Sequence, residues 1–267
     1  MGFSKVKDNE TLQSMKIKLL IEYDGTKYSG WQKQKTQPSI QETIEIAIKT
    51  IFANLCEITL HGAGRTDAGV HALGQVAHFE ISDQAIINKW KHNLKKLPLA
   101  INANMLDSGI CILAAEEVSD SFHARFAAIM RHYQYLILNR SADSPLYNKR
   151  VWNIHSKLDE KIMNTAAQFL IGHHNFNAFR SSQFSASNPH RTISDIKVYR
   201  KDDIITIEVS AKSFLHNQVR IIVGTLKEIG LGKKEPEYVK LLLQNRERIH
   251  AGPTAPPYGL YFTKVEY

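Results

Sequence analysis

One short stretch, residues 62–71, holds the residue types best suited to chemistry. It places the carboxylate of Asp67 among three glycines, and Arg65 lies two residues before it. If the stretch is locally extended, both side chains point to the same side, because side chains alternate with period two. A guanidinium beside a carboxylate favours its ionised form through charge and hydrogen bonding. An ionised acid on a glycine-rich loop is suited to act as a nucleophile or a base.

Two other interpretations of this stretch compete with catalysis. Asp and Gly between two strands most often form a turn with no chemical role, because both residue types favour turn conformations. A phosphate-binding loop fits less well, since the dinucleotide motif requires glycine at the place that Asp67 occupies. A carboxylate there would also repel a pyrophosphate. On spacing alone, the turn stays open beside the catalytic interpretation.

A second candidate lies in a helix predicted at 215–230. The apolar positions of this helix form a regular buried stripe, made by Leu215, Val219, Ile222, Leu226 and Ile229. His216 and Arg220 lie on the flank of the stripe, one turn apart. A partly buried arginine needs an anion, and Asp67 across a cleft is the candidate partner. The alternative is a solvated arginine on the helix surface.

The elements that must position these residues mix strands and helices without regular alternation. Strands are predicted at 16–23, on both sides of the Asp67 loop, around 110–113, and at 129–138, 193–200 and 203–211; helices are predicted at 38–55, 84–97, 157–170 and 215–230. This order predicts an α+β fold of two similar sheet-and-helix domains, with mainly antiparallel sheets and the active-site cleft between them. The predicted divisions are a flexible tail at 1–14, a catalytic domain carrying Asp67 at 15–118, and a C-terminal domain at 119–267. A serine-rich segment at 181–190 is predicted to be flexible.

Charge and composition are consistent with a nucleic-acid partner. The chain has 267 residues, with 34 basic against 26 acidic side chains, for a net charge of +8. The loop at 27–35 interleaves lysines with Tyr28 and Trp31, a mixture suited to stacking on bases and holding phosphates. An ordinary surface loop with one buried tryptophan is the alternative.

Other features of the sequence exclude several classes of protein. No apolar run reaches the ~18 residues that span a bilayer, and the N-terminus lacks the apolar core of a signal peptide. Cys56 and Cys111 lie in apolar runs, which favours free thiols in a reducing compartment. We therefore expect a cytoplasmic protein without membrane association. Because no ligand cluster or nucleotide-cofactor motif is present, we also expect no metal and no cofactor.

Motifs along nearly the whole chain resemble the tRNA pseudouridine synthase A family. The run that resembles the active-site signature is Gly64-Arg65-Thr66-Asp67-Ala68-Gly69-Val70-His71-Ala72. The other matching blocks are Tyr23-Asp24-Gly25-Thr26, Tyr28 with Gly30-Trp31-Gln32, Phe122-His123-Ala124-Arg125, Arg131-His132-Tyr133-Gln134-Tyr135, Phe214-Leu215-His216-Asn217-Gln218-Val219-Arg220 and Ala255-Pro256-Pro257-Tyr258-Gly259-Leu260. The blocks fall in order from about residue 16 to residue 267, so the match is specific. The chain departs from the family at 104–109 and at Asn175, where the family usually carries an acid.

The resemblance implies a tRNA isomerase that converts uridine to pseudouridine at positions 38 to 40 of the anticodon stem-loop. Asp67 would be the essential carboxylate, which attacks the ribose or the base or else removes a proton. Arg65 and Arg220 would keep Asp67 charged and in place. Tyr133 would stack on the target base, while Tyr135 would pack in the core. The resemblance also implies a homodimer.

Two alternatives to this function remain. A non-catalytic tRNA-binding module would explain the net charge of +8 and the aromatic loop. It gives no reason for the Asp67 loop, Tyr133 and Arg220 to occur together. A pseudouridine synthase for another RNA site is the second alternative, and only the extent of the family match argues against it.

Overall fold

A computed structural model describes residues 14–181, 188–245 and 247–267 of the chain. The strands are β1 (Met15–Tyr23), β2 (His61–Gly62), β3 (His71–Ile81), β4 (Ile110–Val118), β5 (Met130–Leu138), β6 (Trp152–Asn153), β7 (Gly172–Asn175), β8 (His190–Lys201), β9 (Ile204–Ala211) and β10 (Leu260–Glu266). The helices are α1 (Ile40–Ile51), α2 (Gln84–Trp90), α3 (Leu97–Ala103), α4 (Glu160–Gln168), α5 (Gln218–Gly230) and α6 (Tyr238–Asn245). The flexible segments predicted at 1–14 and 181–190 lie, apart from their edges, outside the described residues.

All ten strands in the described part of the chain belong to one sheet. Its order is β4-β1-β3-β10-β5-β9-β8-β7, with β2 added to β3 and β6 to β5. Only the β10–β3 and β6–β5 pairs are parallel. The predicted α+β class and the mainly antiparallel pairing are therefore confirmed. The two sheets expected from similar halves are joined into one, because β10 inserts between β3 and β5. The domain boundary at 118/119 stays a prediction.

The helices of both halves lie on the same face of this sheet. Tyr133 pairs with Phe262 and Tyr135 with Leu260, so these four side chains point to one face. Phe262 belongs to a buried cluster built with α1, α2 and α3. Tyr135 and Leu260 belong to a second cluster, built with α4, α5 and α6. Each half therefore has its own core on a shared sheet.

Two predicted helices end differently in the structure, for local reasons. The helix predicted at 38–55 ends at Ile51, because Ala53 and Asn54 adopt left-handed backbone with φ of 51° and 57°. Leu55 therefore lies beyond the end of α1 and is exposed. The helix predicted at 84–97 ends at Trp90, and a single 3-10 turn follows at Leu94–Lys96. α3 begins at Leu97, and Pro98 lies in its first turn, where the missing amide hydrogen costs no helical hydrogen bond.

The opposite face of the sheet is crossed by residues 119–129 instead of a helix, within the described residues. Along β1, Lys16 and Lys18 alternate with buried residues and so point to this face. Lys16 donates hydrogen bonds to the carbonyls of Asp120 and Phe122. His78 of β3 accepts a hydrogen bond from the amide of Ala124 at 3.2 Å. These contacts hold the crossing segment against the sheet.

A gap between β3 and β10 provides the place for the Asp67 loop. The two strands pair at only two positions, where His71 and Ala72 meet Tyr261 and Phe262. Farther along, the same edge of β3 pairs with β2. Residues 63–70 connect these two regions, so the loop lies where β3 and β10 diverge.

Among the described segments of the chain, no helix is long and apolar enough to span a bilayer. Cys56 and Cys111 are both free thiols and both are partly exposed.

Gly224 of α5 permits close packing of the chain that follows α6. A Cβ atom at this position would overlap the carbonyl oxygen of Pro253. We expect Gly224→Ala to lower the free energy of unfolding by about 1–3 kcal/mol, because a rigid backbone group must move. Urea denaturation monitored by circular dichroism measures the change.

Gly230→Ala is the matched control, because Gly230 is also buried in α5. Its added Cβ would meet the flexible side chain of Met163, with Sδ at 2.6 Å and Cγ at 2.7 Å. We expect a smaller loss for this variant. Equal losses in the two variants would show that the Pro253 carbonyl is not the constraint.

Candidate active site

The backbone before Asp67 is fixed by hydrogen bonds to β3. The amide of Ala63 donates to the carbonyl of Val76 at 2.8 Å. The side chain of Gln75 is buried and donates to the carbonyl of Gly64 at 2.9 Å. Both bonds extend the pairing of β2 with β3 into the loop, so the loop leaves the sheet in a defined direction.

Thr66 fixes the loop to the N-terminal half from the other side. Its hydroxyl lies 2.7 Å from the hydroxyl of Tyr23, and its carbonyl accepts a hydrogen bond from the amide of Trp31 at 3.0 Å. Burial raises the pKa of Tyr23 to about 12, so its phenol keeps its proton at neutral pH. Gly30 lies so close that a Cβ there would be 2.5 Å from the Thr66 carbonyl. The aromatic segment predicted to contact RNA therefore supports the Asp67 backbone.

A turn begins at Asp67 itself. The amide of Val70 donates to the Asp67 carbonyl at 3.1 Å, and Gly69 adopts a φ of 77°. A left-handed residue within such a turn is readily supplied by glycine. The turn interpretation is thus correct for the backbone, while the carboxylate projects from the start of the turn.

The carboxylate of Asp67 contacts two residues from the C-terminal half. Oδ2 accepts a hydrogen bond from Nη1 of Arg220 at 2.9 Å. Oδ1 lies 3.3 Å from Nε2 of His216, which forms a second ion pair when the imidazole is protonated. The Asp67 side chain is 31% exposed and that of Arg220 only 15%. The structure therefore brings Asp67 and Arg220 together, at a place that solvent or a ligand can still reach.

The guanidinium of Arg220 is itself held in position. Its Nε donates to the carbonyl of Ala255 at 2.8 Å, and Nη1 also donates to Oδ1 of Asn217 at 2.8 Å. Asn217 has a φ of 62°, a left-handed conformation that asparagine tolerates better than most residues. It precedes the first residue of α5, so the bend that starts the helix also provides an acceptor for Arg220.

Arg65 does not take part in this ion pair. Its side chain is exposed, and within the described residues it makes no hydrogen bond or ion pair. The two oxygens of Asp67 face Arg220 and His216 instead. The support that Arg65 was expected to give stays a prediction.

Tyr133 lies next to the Asp67 loop, between aromatic neighbours. Its ring centroid is 4.7 Å from that of Phe262 and 5.2 Å, edge-on, from that of Phe214. A Cβ on Gly64 would be 3.7 Å from the Tyr133 hydroxyl. Burial raises the pKa of Tyr133 and the nearby charge of Asp67 adds to the rise, so the ring is a neutral phenol. The residue as a whole is partly exposed.

Tyr135 is fully buried, as predicted for a packing residue. Its hydroxyl donates to the carbonyl of Pro256 at 2.8 Å. Because Ala255 and Pro256 receive the Arg220 and Tyr135 hydrogen bonds, the segment before β10 connects α5 to the sheet. The packing role of Tyr135 is confirmed.

His71 is a structural histidine despite its place in the signature. Its Nδ1 accepts from the amide of Gly25 at 3.1 Å, while Nε2 faces the carbonyls of Lys149 and Tyr258 at 3.0 and 3.1 Å. These partners require a neutral ring with the proton on Nε2. Burial lowers its pKa, which agrees with a neutral ring although Asp24 lies 3.1 Å from Nδ1. His71 therefore fixes the start of β3.

Arg131 is a further residue of the site that the sequence did not single out. Its Nε and Nη2 donate to the carbonyl of Ala63 at 3.0 and 2.8 Å. Nη2 also donates to the carbonyl of Arg125 at 2.6 Å, and Nη1 to that of Lys212. Burial lowers the pKa of Arg131. One guanidinium thus joins the Asp67 loop, the segment that crosses the open face, and the loop that precedes α5.

Asn175, at which the chain departs from the family, lies away from this arrangement. It belongs to β7, at the far edge of the sheet, and its side chain accepts a hydrogen bond from the amide of Asn177. In the part of the chain that the structure describes, no group of three or more His, Cys, Asp or Glu residues is arranged to hold a metal ion.

Comparison with known proteins identifies the family. A family model described as tRNA pseudouridine synthase matches residues 19–127 and 166–267. Curated proteins named tRNA pseudouridine synthase A are similar over almost their whole length. One from Allorhizobium ampelinum is 46% identical, over 94% of this chain and 95% of its own. The chain belongs to the tRNA pseudouridine synthase A family. Membership makes the protein an isomerase.

Other relatives agree with this assignment. A tRNA pseudouridine synthase A from Wolbachia pipientis wMel is 46% identical and one from Ehrlichia chaffeensis is 45% identical, each over 95% of this chain and 100% of its own. Among solved structures, a chain from a crystal structure of a Cbf5-Nop10-Gar1 complex has a TM-score of 0.30 and 14% identity, over 92% of this chain and 57% of its own.

A double-mutant cycle separates the two arginines expected to support Asp67. We expect Asp67→Ala and Arg220→Ala to show a coupling free energy of about 1 kcal/mol or more, since the pair is in direct contact. The same cycle with Arg65→Ala should give less than about 0.5 kcal/mol, because Arg65 makes no contact with the carboxylate. Free energies of unfolding from urea denaturation supply the four corners of each cycle. Equal coupling of both arginines would contradict the ion-pair geometry.

Proposed function

We propose that this protein isomerises uridine to pseudouridine at positions 38 to 40 of the tRNA anticodon stem-loop. The observation that carries the proposal is the ion pair of Asp67 with Arg220, placed beside Tyr133 in a chain of this family. The family match supports tRNA as the substrate. The target positions in the anticodon stem-loop and the essential role of Asp67 go beyond the family match and are proposed here.

The reaction rearranges bonds without net loss or gain of atoms. The bond from ribose C1′ to N1 of uracil breaks, the base turns over, and C1′ forms a bond to C5. The hydrogen on C5 leaves as a proton, and N1 ends with a proton. A single carboxylate suits this order of steps, because it can stabilise or capture an intermediate and then accept a proton. Attack on the ribose, attack on the base and proton removal are all open to Asp67.

Arg220 would act on Asp67 more than on the substrate. Its other hydrogen bonds, to Ala255 and Asn217, leave its position fixed while the base moves. The hydrogen bond to Oδ2 therefore holds one carboxylate oxygen in a constant direction, and it favours the ionised form of the acid. Arg65 is exposed and has no protein partner in the described chain. It would be available to contact RNA or to fill the space left by the displaced base.

Tyr133 would hold the uracil after extraction from the stem. Removing a paired base costs a few kcal/mol. Stacking on an aromatic ring returns about 1–3 kcal/mol of that cost. Phe262 and Phe214 hold the Tyr133 ring in place, so little side-chain entropy would be lost on binding.

The homodimer and the cytoplasmic location belong to the same proposal. The family resemblance supports the homodimer, and the free thiols of Cys56 and Cys111 support a reducing compartment. In a homodimer, the anticodon arm of one tRNA would reach across both subunits and contact each of them. Sedimentation velocity of the free protein and of its tRNA complex tests the subunit number.

Removing the Asp67 carboxylate should abolish the reaction. We expect Asp67→Asn to lower the release of tritium from tRNA labelled at uridine C5 by at least about 100- to 10,000-fold, as expected for loss of an essential acid–base group. Binding of the same tRNA should survive, because the shape of the side chain is retained. Filter binding measures that affinity.

Asp202→Asn is the matched control, because Asp202 lies in the exposed turn between β8 and β9. It should release tritium at the wild-type rate. No release by the wild type, with tRNA still bound, would favour the non-catalytic binding module. Release from uridines outside positions 38 to 40 would identify a synthase for another site.

A further inference from the structure

An aromatic surface lies outside the Asp67 cleft, on the open face of the sheet. His61 of β2 and His78 of β3 stack with ring centroids 5.1 Å apart. His123, in the segment that crosses this face, lies 5.5 Å from His61 and 4.7 Å from His78. The ring of Phe126 lies 4.3 Å from that of His123. We call His61, His123 and Phe126, with Arg125 beside them, the aromatic platform.

Phe126 is the most exposed member of the platform. It is 76% exposed, although it is a large apolar residue. The guanidinium carbon of Arg125 lies 5.8 Å from its ring centroid, within the range of a cation–π contact. A single exposed apolar residue needs no explanation by itself. This one, however, rests on a second ring and has a cation at its side, an arrangement that suits a flat π-electron system with a phosphate attached.

The three histidines of this region do not suit a metal. Within the described chain no His, Cys, Asp or Glu group has the arrangement to hold an ion. His78 uses Nδ1 to accept from the Ala124 amide. Burial lowers the pKa of His78 to about 4 and also lowers that of His123. Both rings are neutral at pH 7, so they offer aromatic faces and not positive charge.

The platform is connected directly to the Asp67 loop. Arg131 donates from one nitrogen, Nη2, to the carbonyls of both Ala63 and Arg125. Arg125 and Phe126 are therefore held next to the strand end from which residues 63–67 emerge. One guanidinium therefore joins the platform to the backbone that leads into the Asp67 loop.

The cation beside Phe126 is Arg125, which is exposed. Two carboxylates of the same face are matched by cations, since Glu116 pairs with Lys18 and Glu266 pairs with Lys264. Glu80 lies opposite Lys16 in the β1–β3 pairing, and Asp120 is exposed in the crossing segment. The positive charge that a phosphate would meet at the Phe126 ring is therefore that of Arg125.

We propose that the aromatic platform binds an unpaired nucleobase of the substrate RNA, stacked on Phe126, with Arg125 at the adjoining phosphate. The proposal rests on the proposed function, because it names a second contact for the same RNA. Stacking on an aromatic ring is tolerant of base identity. The platform therefore adds affinity for a loop or other unstacked region without selecting the target uridine.

Three substitutions of Phe126 test the proposal, because they keep an aromatic ring, keep only apolar bulk, or remove both. We expect Phe126→Ala to raise the KM for unmodified tRNA, and the Kd measured by filter binding, by about 5- to 100-fold. Phe126→Leu should raise them almost as much, because it keeps apolar bulk but loses the π face. Phe126→Trp should stay within about threefold of the wild type. The exposed position predicts unchanged urea unfolding for all three variants.

A direct signal comes from the tryptophan introduced by Phe126→Trp. Its fluorescence, taken as the difference from wild type, should be quenched when tRNA binds, because a stacked base quenches indole emission. Unchanged KM and Kd in Phe126→Ala, or wild-type values in Phe126→Leu, would overturn the proposal. A fall in sedimentation coefficient of free Phe126→Ala would overturn it too, by identifying a contact between two copies of the chain.

The same experiments keep this proposal distinct from the proposed function. Tritium release by the wild type establishes the isomerase whether or not Phe126 matters. If the wild type binds tRNA without releasing tritium, the proposed function fails, while the quenching and Kd measurements still decide the role of the platform.

Discussion

The ion pair between Asp67 and Arg220 is the interaction on which the rest of the site depends. The two residues are 153 positions apart and belong to different halves of the chain. Taking a carboxylate and a guanidinium partly out of water is costly, and the cost is offset only when the geometry is good and the remaining donors are bonded. Arg220 meets that condition through Ala255 and Asn217. The ion pair therefore connects the two halves of the chain, each with its own core, and it also lies in the cleft.

The shared sheet explains how the two halves can hold such a pair in register. If each half had a separate sheet, the distance between Asp67 and Arg220 would depend on a flexible interface. Instead β10 pairs with β3 on one side and with β5 on the other. Phe262 of β10 and Tyr133 of β5 are paired neighbours and lie below the carboxylate loop. The floor of the cleft is thus formed by β5 and β10, which are hydrogen-bonded to each other.

The sequence predicted the parts of this arrangement that depend on local pattern. The apolar stripe of α5 placed Arg220 on its flank, and the strand predicted at 129–138 corresponds to β5, which carries Tyr133. The same spacing put His216 one turn from Arg220, which was a usable but unused signal for its contact with Asp67. The insertion of β10 left no local signal, because parallel pairing of distant strands is set by tertiary packing. The role of Arg131 was missed for a related reason, since its acceptors are backbone carbonyls, and two of the three, those of Ala63 and Lys212, belong to distant segments.

Burial separates what is rigid in this site from what is accessible. The backbone on both sides of Asp67 is bonded to buried groups, whereas the carboxylate itself is 31% exposed. In the proposed reaction, extracting a base from a stem costs a few kcal/mol, so a site that also had to order its own loop would bind the extracted state more weakly. Groups fixed before the substrate arrives lose no further entropy when charge develops on the reacting atoms. The hydrogen bonds of Thr66 and Arg131, which touch no reacting atom, therefore matter to the chemistry because they are formed in the free protein.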